Sequence, residues 1–445
     1  MSPLAPARNT ATGLPPRHSA GSPAAATRTE AAKPARAAFL AAALLAPLAP
    51  AMAYQSFEAE AAAQLRWHPQ VVSRAEQEST DASLSLQAEW YWESEDRNHS
   101  LTITPFGRYA PQADSRTHAD LRELYWNGIF GDLELRLGIS KVFWGKTEIL
   151  HLVDIINQDD TLENLDGEDK LGQPMLRASY RVPNGSLIGF VLPYFREREF
   201  LGPEARLSTP LPVDEDNPLY ESEDEETHVD WALRWQGYFG GLDFGLAHFS
   251  GTARDPLLLP AGFTQEGRPT QLVPAYPLLE QSSLDAQYTA GGWLFKLEAL
   301  YADTAVVALQ PGTPPRFVDT TYAAATGGFE YTLYGIRGSA ADLGLLAEYL
   351  WDERGAQANT PFQDDLFIGG RLALNDVAGS TLIGGAVLDL DHGGAFINVE
   401  ASRRLSGELA LALEARLFTD VDPRDTTLFP VRNDDYLQLE LTRYF

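Results

Sequence analysis

The chain has 445 residues, and its 34 Lys+Arg against 62 Asp+Glu leave a net charge of -28. A phosphate backbone is bound by a basic surface, so nucleic acid is excluded as a partner. Mean hydropathy is -0.22. The one long apolar run, within residues 37–53, falls short of the roughly 20 apolar residues of a membrane helix, so an inner-membrane bundle is excluded too.

Residues 1–36 are rich in Ala, Pro, Ser, Thr and Arg and show no periodicity. Lys33 and Arg36 precede the apolar run 37–48, and Ala51-Met52-Ala53 forms a small-x-small end. This order reads as a secretory signal peptide cleaved after Ala53. The leader before it is long, so either translation starts further in or the export signal is extended. The absence of cysteine suits an exported chain that avoids stray disulfides. Residues 1–53 are set apart as leader and signal peptide, and residues 54–445 form one domain.

From Tyr54 onward, apolar residues recur at every second position. Leu84, Leu86, Ala88, Trp90 and Trp92 alternate with Ser85, Gln87, Glu89 and Tyr91. Leu133, Leu135 and Leu137 alternate with Glu134 and Arg136; Trp231, Leu233 and Trp235 alternate with Asp230, Arg234 and Gln236. The same pattern returns at Trp293–Glu298, at Leu366–Leu374 opposite Arg371, and at Leu409–Leu417 with Glu414 and Arg416. Period two means a strand with one apolar and one polar face. Ten residues at about 3.3 Å each, tilted by about 45°, cross roughly 25 Å, the height of an outer-membrane apolar band.

Short turns are expected near Phe130-Gly131, Pro183-Asn184-Gly185, Phe239-Gly240-Gly241, Gly291-Gly292, residues 375–379 and Leu405-Ser406-Gly407. Most carry the Gly or Asn that tight hairpins need. Longer connections fall between them, at 143–174, 196–226, 250–281, 302–320, 352–363 and 419–434. Short and long alternate, as they do when periplasmic turns are short and outer loops long. The fold class predicted is all-β, a transmembrane antiparallel up-and-down β-barrel of 18 strands. It becomes 16 if the least regular segments, 57–67 and 121–130, are not strands. Nine Trp, 17 Tyr and 21 Phe suffice for two aromatic girdles.

With the apolar rows facing lipid, Glu89, Glu134, Asp230, Glu298, Glu348, Glu400, Glu414 and Glu440 face the lumen. So do Arg136, Arg177, Arg181, Arg234, Lys296, Arg371 and Arg416. Such charges either bridge one another across strands or line a passage that orients polar solutes. The acidic excess concentrates in 214–226, where Asp214, Asp216, Glu223 and Asp224 are candidate ligands for a surface Ca²⁺. Clustered carboxylates favour that ion, although a block of like charge is commonly just solvated. No other cofactor is expected.

The most distinctive stretch is 141–175, KVFWGKTEILHLVDIINQDDTLENLDGEDKLGQPM. It is too long for a bare loop. Ile149, Leu152, Val153 and Ile156 suggest one or two helical turns. Trp144, Lys146, Glu148, His151, Asp154 and Asn157 are candidates for contact with solute or the inner wall if this loop folds inward. The other reading makes the loop an outer lid and Trp144 a girdle residue. No phosphate loop, zinc spacing or G-x-S-x-G is present, and His151, His228, His248 and His392 are scattered, none in a recognisable Ser/Asn or Asp setting.

The chain ends on Tyr436-Leu437-Gln438-Leu439-Glu440-Leu441-Thr442-Arg443-Tyr444-Phe445. This end resembles the C-terminal strand of bacterial outer-membrane β-barrels, which finish on Phe after alternating apolar residues; Arg443 departs from that pattern. An inward fold of this loop would resemble the constriction loops of porins, and the strand–Trp-Gly–loop–Pro–strand arrangement of 141–175 is similar to that of porin-like outer-membrane proteins of uncharacterised substrate, a resemblance over about 40 residues that fixes no ligand. The resemblance implies a Gram-negative outer membrane and the partners of that setting. These are lipid and lipopolysaccharide, the barrel assembly machinery acting through the last strand, small solutes, and in some cases two further copies in a homotrimer. The function expected is non-enzymatic diffusion of small polar or ionic solutes, since about 16–18 strands leave an aqueous channel. The alternatives are transport of hydrophobic compounds through the same barrel, or a secreted acidic β-rich binding or structural protein.

Overall fold

The computed structural model describes residues 53–445 apart from residues 73, 311 and 426. The leader and signal peptide expected at 1–53 thus lie outside the described residues, save Ala53. The strands in chain order are β1 (Tyr54–Trp67), β2 (Thr80–Glu93), β3 (His99–Tyr109), β4 (His118–Phe130), β5 (Leu133–Ser140), β6 (Gln173–Val182) and β7 (Gly185–Leu192). There follow β8 (Leu219–Tyr220), β9 (Asp230–Phe239), β10 (Leu242–Thr252), β11 (Leu257–Ala261), β12 (Gln271–Tyr276), β13 (Leu278–Ala290) and β14 (Trp293–Ala308). The last are β15 (Arg316–Leu333), β16 (Asp342–Asp352), β17 (Asp364–Ala373), β18 (Thr381–Asp389), β19 (Ala395–Arg404), β20 (Leu409–Thr419) and β21 (Tyr436–Tyr444).

Eighteen of these form one sheet, while β8, β11 and β12 make a small separate one in the outer loops. Successive wall strands pair antiparallel, and β1 closes on β21 from Glu60 opposite Tyr444 to Trp67 opposite Leu437. Closure leaves no edge and pairs the backbone within the wall, the condition for crossing lipid with strands. Both irregular segments are strands, so the count is 18. The irregularity of β4 has a cause: the register against β3 shifts between Thr104 and Pro105, where proline cannot donate to the ladder.

Two-residue turns close β4–β5, β6–β7, β9–β10 and β13–β14. Asn184 (φ 59°) and Gly240 (φ 59°) supply the left-handed backbone these turns require. Both described chain ends lie on this side, where Phe445 donates its N–H to Ala59 O at 2.8 Å. One expected long connection needs correction. Residues 302–320 are mostly strand, because β14 and β15 stay paired up to Ala308–Arg316, leaving 309–315 as the loop. Thr304, Val306, Val307 and Val318 are β-branched and favour the extended hairpin.

The side chains divide as the period predicts. Leu437, Leu439 and Leu441 are 42, 43 and 40 % exposed, whereas Gln438 and Thr442 on the opposite face are each 9 %. Among the described residues, no second sheet covers the apolar rows. Exposed Phe130, Phe239, Trp293 and Phe295 border the apolar band on the short-turn side, and Trp67, Tyr109, Trp231, Tyr301 and Trp351 border it on the other.

The interior is less uniformly polar than alternation alone suggests. On β7, Leu187 and Val191 face out, while Ile188, Phe190 and Leu192 face in and are fully buried. They pack with Phe249 of β10 against Trp144, Val153 and Ile156. The buried core of this barrel therefore sits inside it.

Candidate functional site

The segment 141–172 leaves β5 and folds into the lumen. Asn157, 1 % exposed, fastens its base: Oδ1 accepts Val142 N–H at 2.9 Å, and Nδ2 donates to Ser140 O and Leu171 O at 2.9 and 2.8 Å. Asp154 accepts Trp144 N–H at 3.0 Å and pairs with Lys170 at 3.2 Å. Asp154 thus holds the loop to itself, and Asn157 also ties it to the end of β5. The helical turns expected here are absent, since no helix falls between β5 and β6. The N–H groups that a helix would satisfy internally are taken by wall carboxylates.

Glu298 of β14 is the main acceptor. Its Oε1 receives Lys146 N–H at 2.6 Å, Thr147 N–H at 3.1 Å and the Thr147 hydroxyl at 2.8 Å. Glu348 of β16 receives Glu148 N–H at 2.9 Å and Ile149 N–H at 3.3 Å. The Glu148 carboxylate then reaches Lys296 at 3.1 Å and Arg371 of β17 at 2.7 Å. Around the wall, β17 is the ninth strand from β5, so the loop crosses the full width of the lumen. Ile149 and Leu150 pack on Leu346, Leu350, Phe367 and Val387 of the far wall. Trp144 is 4 % exposed, lies edge-on to Phe190 at 5.6 Å and carries the Arg234 guanidinium over its ring at 4.8 Å. It is not a girdle residue.

The second half of the loop is tied by residues that sequence reasoning missed. Arg108 of β3 forks onto Glu163 at 2.7 and 2.6 Å. Arg122, at the irregular point of β4, pairs with Asp160 at 2.7 Å. Arg254 grips Ile156 O and pairs with Asp230 at 2.7 Å. The interrupted alternation near Pro105 was the one available signal for Arg122. Arg416 joins Asp166 at 2.6 Å and Glu414 at 2.7 Å.

Burial shifts the loop's titrating groups. Burial disfavours the charged form of His151, but the hydrogen bond to Glu168 at 2.9 Å and the Glu298 carboxylate 3.7 Å away outweigh it and raise the pKa to about 10. Burial, then Glu163 and Asp166, raise Asp169 to about 7. Burial pushes Glu163 up as well, yet the Arg108 fork overcomes it and holds this carboxyl below its ordinary value.

The remaining predicted residues also face the lumen. Arg177 bridges to Glu134 at 2.9 Å, and Arg136 covers the Tyr125 ring at 4.2 Å. Arg234 pairs with Asp285 at 2.7 Å. Glu414 accepts the Tyr436 hydroxyl at 2.5 Å. Arg181, Lys146 and Arg234 line one cavity of about 460 Å³. A second, of about 450 Å³, is lined by Arg66, Arg108 and Lys141 with Glu60, Glu163 and Asp169. Above them the loop 193–229 folds across the mouth, where Arg206 pairs with Asp434 at 2.5 Å and Leu201 and Leu207 pack on Tyr436.

Asp214 accepts from Asn217 and Gln271, each at 3.1 Å. Among the described residues, no three His, Cys, Asp or Glu side chains converge as a metal site, so Asp214, Asp216, Glu223 and Asp224 are not brought together. Histidines scattered along the sequence gain partners in space. His228 meets Asp230 at 2.8 Å, and His248, on the outward face, lies 3.0 Å from Ser282 and 3.1 Å from Glu280. Cross-strand pairing sets Ser282 directly opposite His248, a contact invisible before the register is known.

A closed wall with an uncovered apolar belt outside and a charge-pinned loop inside is incompatible with a freely dissolved protein. This is a closed 18-stranded β-barrel with the outer surface of a membrane-spanning wall. No family model and no curated protein matches the chain. Solved structures similar to this barrel include OmpT, an outer membrane protein of Vibrio cholerae, at 11 % identity over 89 % of this chain and 100 % of that one, TM-score 0.43. Salmonella typhi OmpF in complex with daunomycin is 12 % identical over 88 % and 97 %, TM-score 0.41. Pseudomonas putida OprB is 10 % identical over 88 % and 94 %, TM-score 0.41. At these values they show the fold alone, and none of them bears on solute, selectivity or assembly of this barrel.

Proposed function

We propose that the barrel is a non-enzymatic channel for small polar or ionic solutes, constricted by the loop 141–172. The observation that carries this reading is the tip of that loop, held on Glu298 and Glu348 with polar, charged cavities on either side of the lumen. The apolar inner residues of β7 and β16–β18 are covered by the loop's own Trp144, Val153, Ile149 and Leu150, so they offer little to a hydrophobic cargo. An acyl-transfer role for Ser282, His248 and Glu280 lacks support. The N–H groups of β13 are committed to the ladder with β10 and β14, leaving no oxyanion donors. Eight acids and no base in residues 214–226 enrich cations at the mouth within about one Debye length, ~8 Å.

The test is reconstitution of the mature barrel in planar bilayers. Stepwise conductance, with K⁺ preferred over Cl⁻ in a KCl gradient, is expected. A bilayer that stays silent with correctly folded, heat-modifiable protein overturns the channel reading.

A further inference from the structure

The first of the lumen cavities gathers bases that the wall and the loop leave partly unpaired. It is lined by Lys146 from the inner loop, Arg181 from β6, Arg234 from β9 and Asp243 from β10. Among the described residues, neither the Lys146 ammonium nor the Arg181 guanidinium has a carboxylate partner, and the Asp243 carboxylate has no cation. Arg234 is 5 % exposed, and its Nε is buried without a hydrogen-bond partner.

This arrangement is built rather than incidental. Arg234 is clamped between the Trp144 ring and Asp285. The pair lies flat on β10 because position 245 is glycine: a Cβ there would stand 2.1 Å from Arg234 Nη2 and 2.3 Å from Asp285 Oδ2. Lys146 is aimed from the loop while its own N–H is fixed on Glu298 at 2.6 Å. Lys146 is half-buried, while Arg181 and Asp243 are open to the water of the lumen, so a solute can reach all three. Ser186 and Gln236 add neutral polar groups to the same lining.

We propose that this cavity is a subsite for a small zwitterion of the amino-acid type, its carboxylate on Lys146 and Arg181 and its ammonium on Asp243. The inference rests on the channel reading and names its solute. The two ends of the protein agree on that chemistry. The acidic segment 214–226 attracts the ammonium at the mouth, and the unpaired bases attract the carboxylate further in. A plain anion would be repelled at the first station, and a plain cation at the second.

The experiment measures the concentration at which alanine, alanine methyl ester and N-acetylalanine each half-block the ion current of the full barrel. Alanine has both charges, the ester lacks the carboxylate, and the acetylated form lacks the ammonium. Alanine is expected to half-block at the lowest concentration. Lys146→Met and Arg181→Gln each raise the value for alanine and N-acetylalanine by about fivefold, the scale of one lost charge contact, and leave the ester unchanged. Asp243→Asn does the same for alanine and the ester only. Arg424→Gln, in an outer loop and paired with Asp422, changes none of them. If the double variant Lys146→Met/Arg181→Gln conducts ions but blocks with alanine like the wild type, the subsite is refuted while the channel stands. Equal block by all three solutes refutes it as well. Absence of any conductance would instead strike the channel reading itself.

Discussion

Glu298 and Thr147 meet twice: one carboxylate oxygen accepts both the backbone N–H, at 3.1 Å, and the hydroxyl, at 2.8 Å. The same oxygen takes Lys146 N–H, and the other takes Val153 N–H at 3.4 Å. Hydrogen bonds to a charged acceptor contribute about 1.5–3 kcal/mol each, and a buried donor left unmet costs about 1–3 kcal/mol. A single wall residue thus accepts four of the donors that hold the inner loop across the lumen.

Glu298→Ala is therefore expected to free the loop tip. Single-channel conductance rises and open-state noise increases, while strand content by circular dichroism is unchanged. Glu298→Gln keeps an oxygen acceptor and falls between. Conductance identical to wild type in the alanine variant would mean that Glu348 and the packing of Ile149 and Leu150 suffice.

Trp144→Ala removes the largest side chain seating the loop on β7. Truncating a buried aromatic costs about 3–5 kcal/mol, here charged to the loop and not to the wall. The variant should remain heat-modifiable on gels yet be cleaved within 141–172 by a protease that spares the wild type. Equal resistance of the two would count against the packing role.

Asp169 titrates near pH 7 and lines the second cavity. A carboxyl raised in the folded state binds its proton more tightly there, so its contribution favours the fold at low pH and is lost as pH rises from about 4 through 7. Ionisation also adds a negative charge beside Glu163. Cation preference should grow between pH 5.5 and 8.5, and Asp169→Asn should flatten that part of the profile. A reversal potential with the same pH dependence in both proteins would refute the assignment.

His151 runs the opposite way at higher pH. Its pKa, about 10 in the fold, lies above the ordinary value of about 6.5. Its stabilising contacts with Glu168 and Glu298 are fully present below pH 6.5 and are lost as pH climbs through 10. Conductance noise from the loop should increase between pH 9 and 11 in the wild type. His151→Asn should already be noisy at pH 7 and show no further change.

The wall was legible because its determinants are local. A two-residue period needs only neighbours, and Asn184 or Gly240 declares its turn without reference to the rest of the chain. Strand count, sidedness of the loops, and which charges face inward follow from those two signals. The partial failures are local too. In 302–320 the alternation was present but masked by small residues, and at Arg122 the register shift broke it.

What the loop 141–172 does was decided only in three dimensions. Its sequence reads equally as a lid or as a constriction, because the carboxylates that hold it stand far away in the chain: 152 residues separate Lys146 from Glu298 and 200 separate Glu148 from Glu348. Glu298 and Glu348 look like any other lumen acids until closure of the wall sets them opposite β5. The sequence by itself determined a barrel, since backbone pairing and side-chain alternation are short-range. Only the tertiary structure determined the occupied lumen, since a loop's unpaired N–H groups choose their acceptors by distance through space.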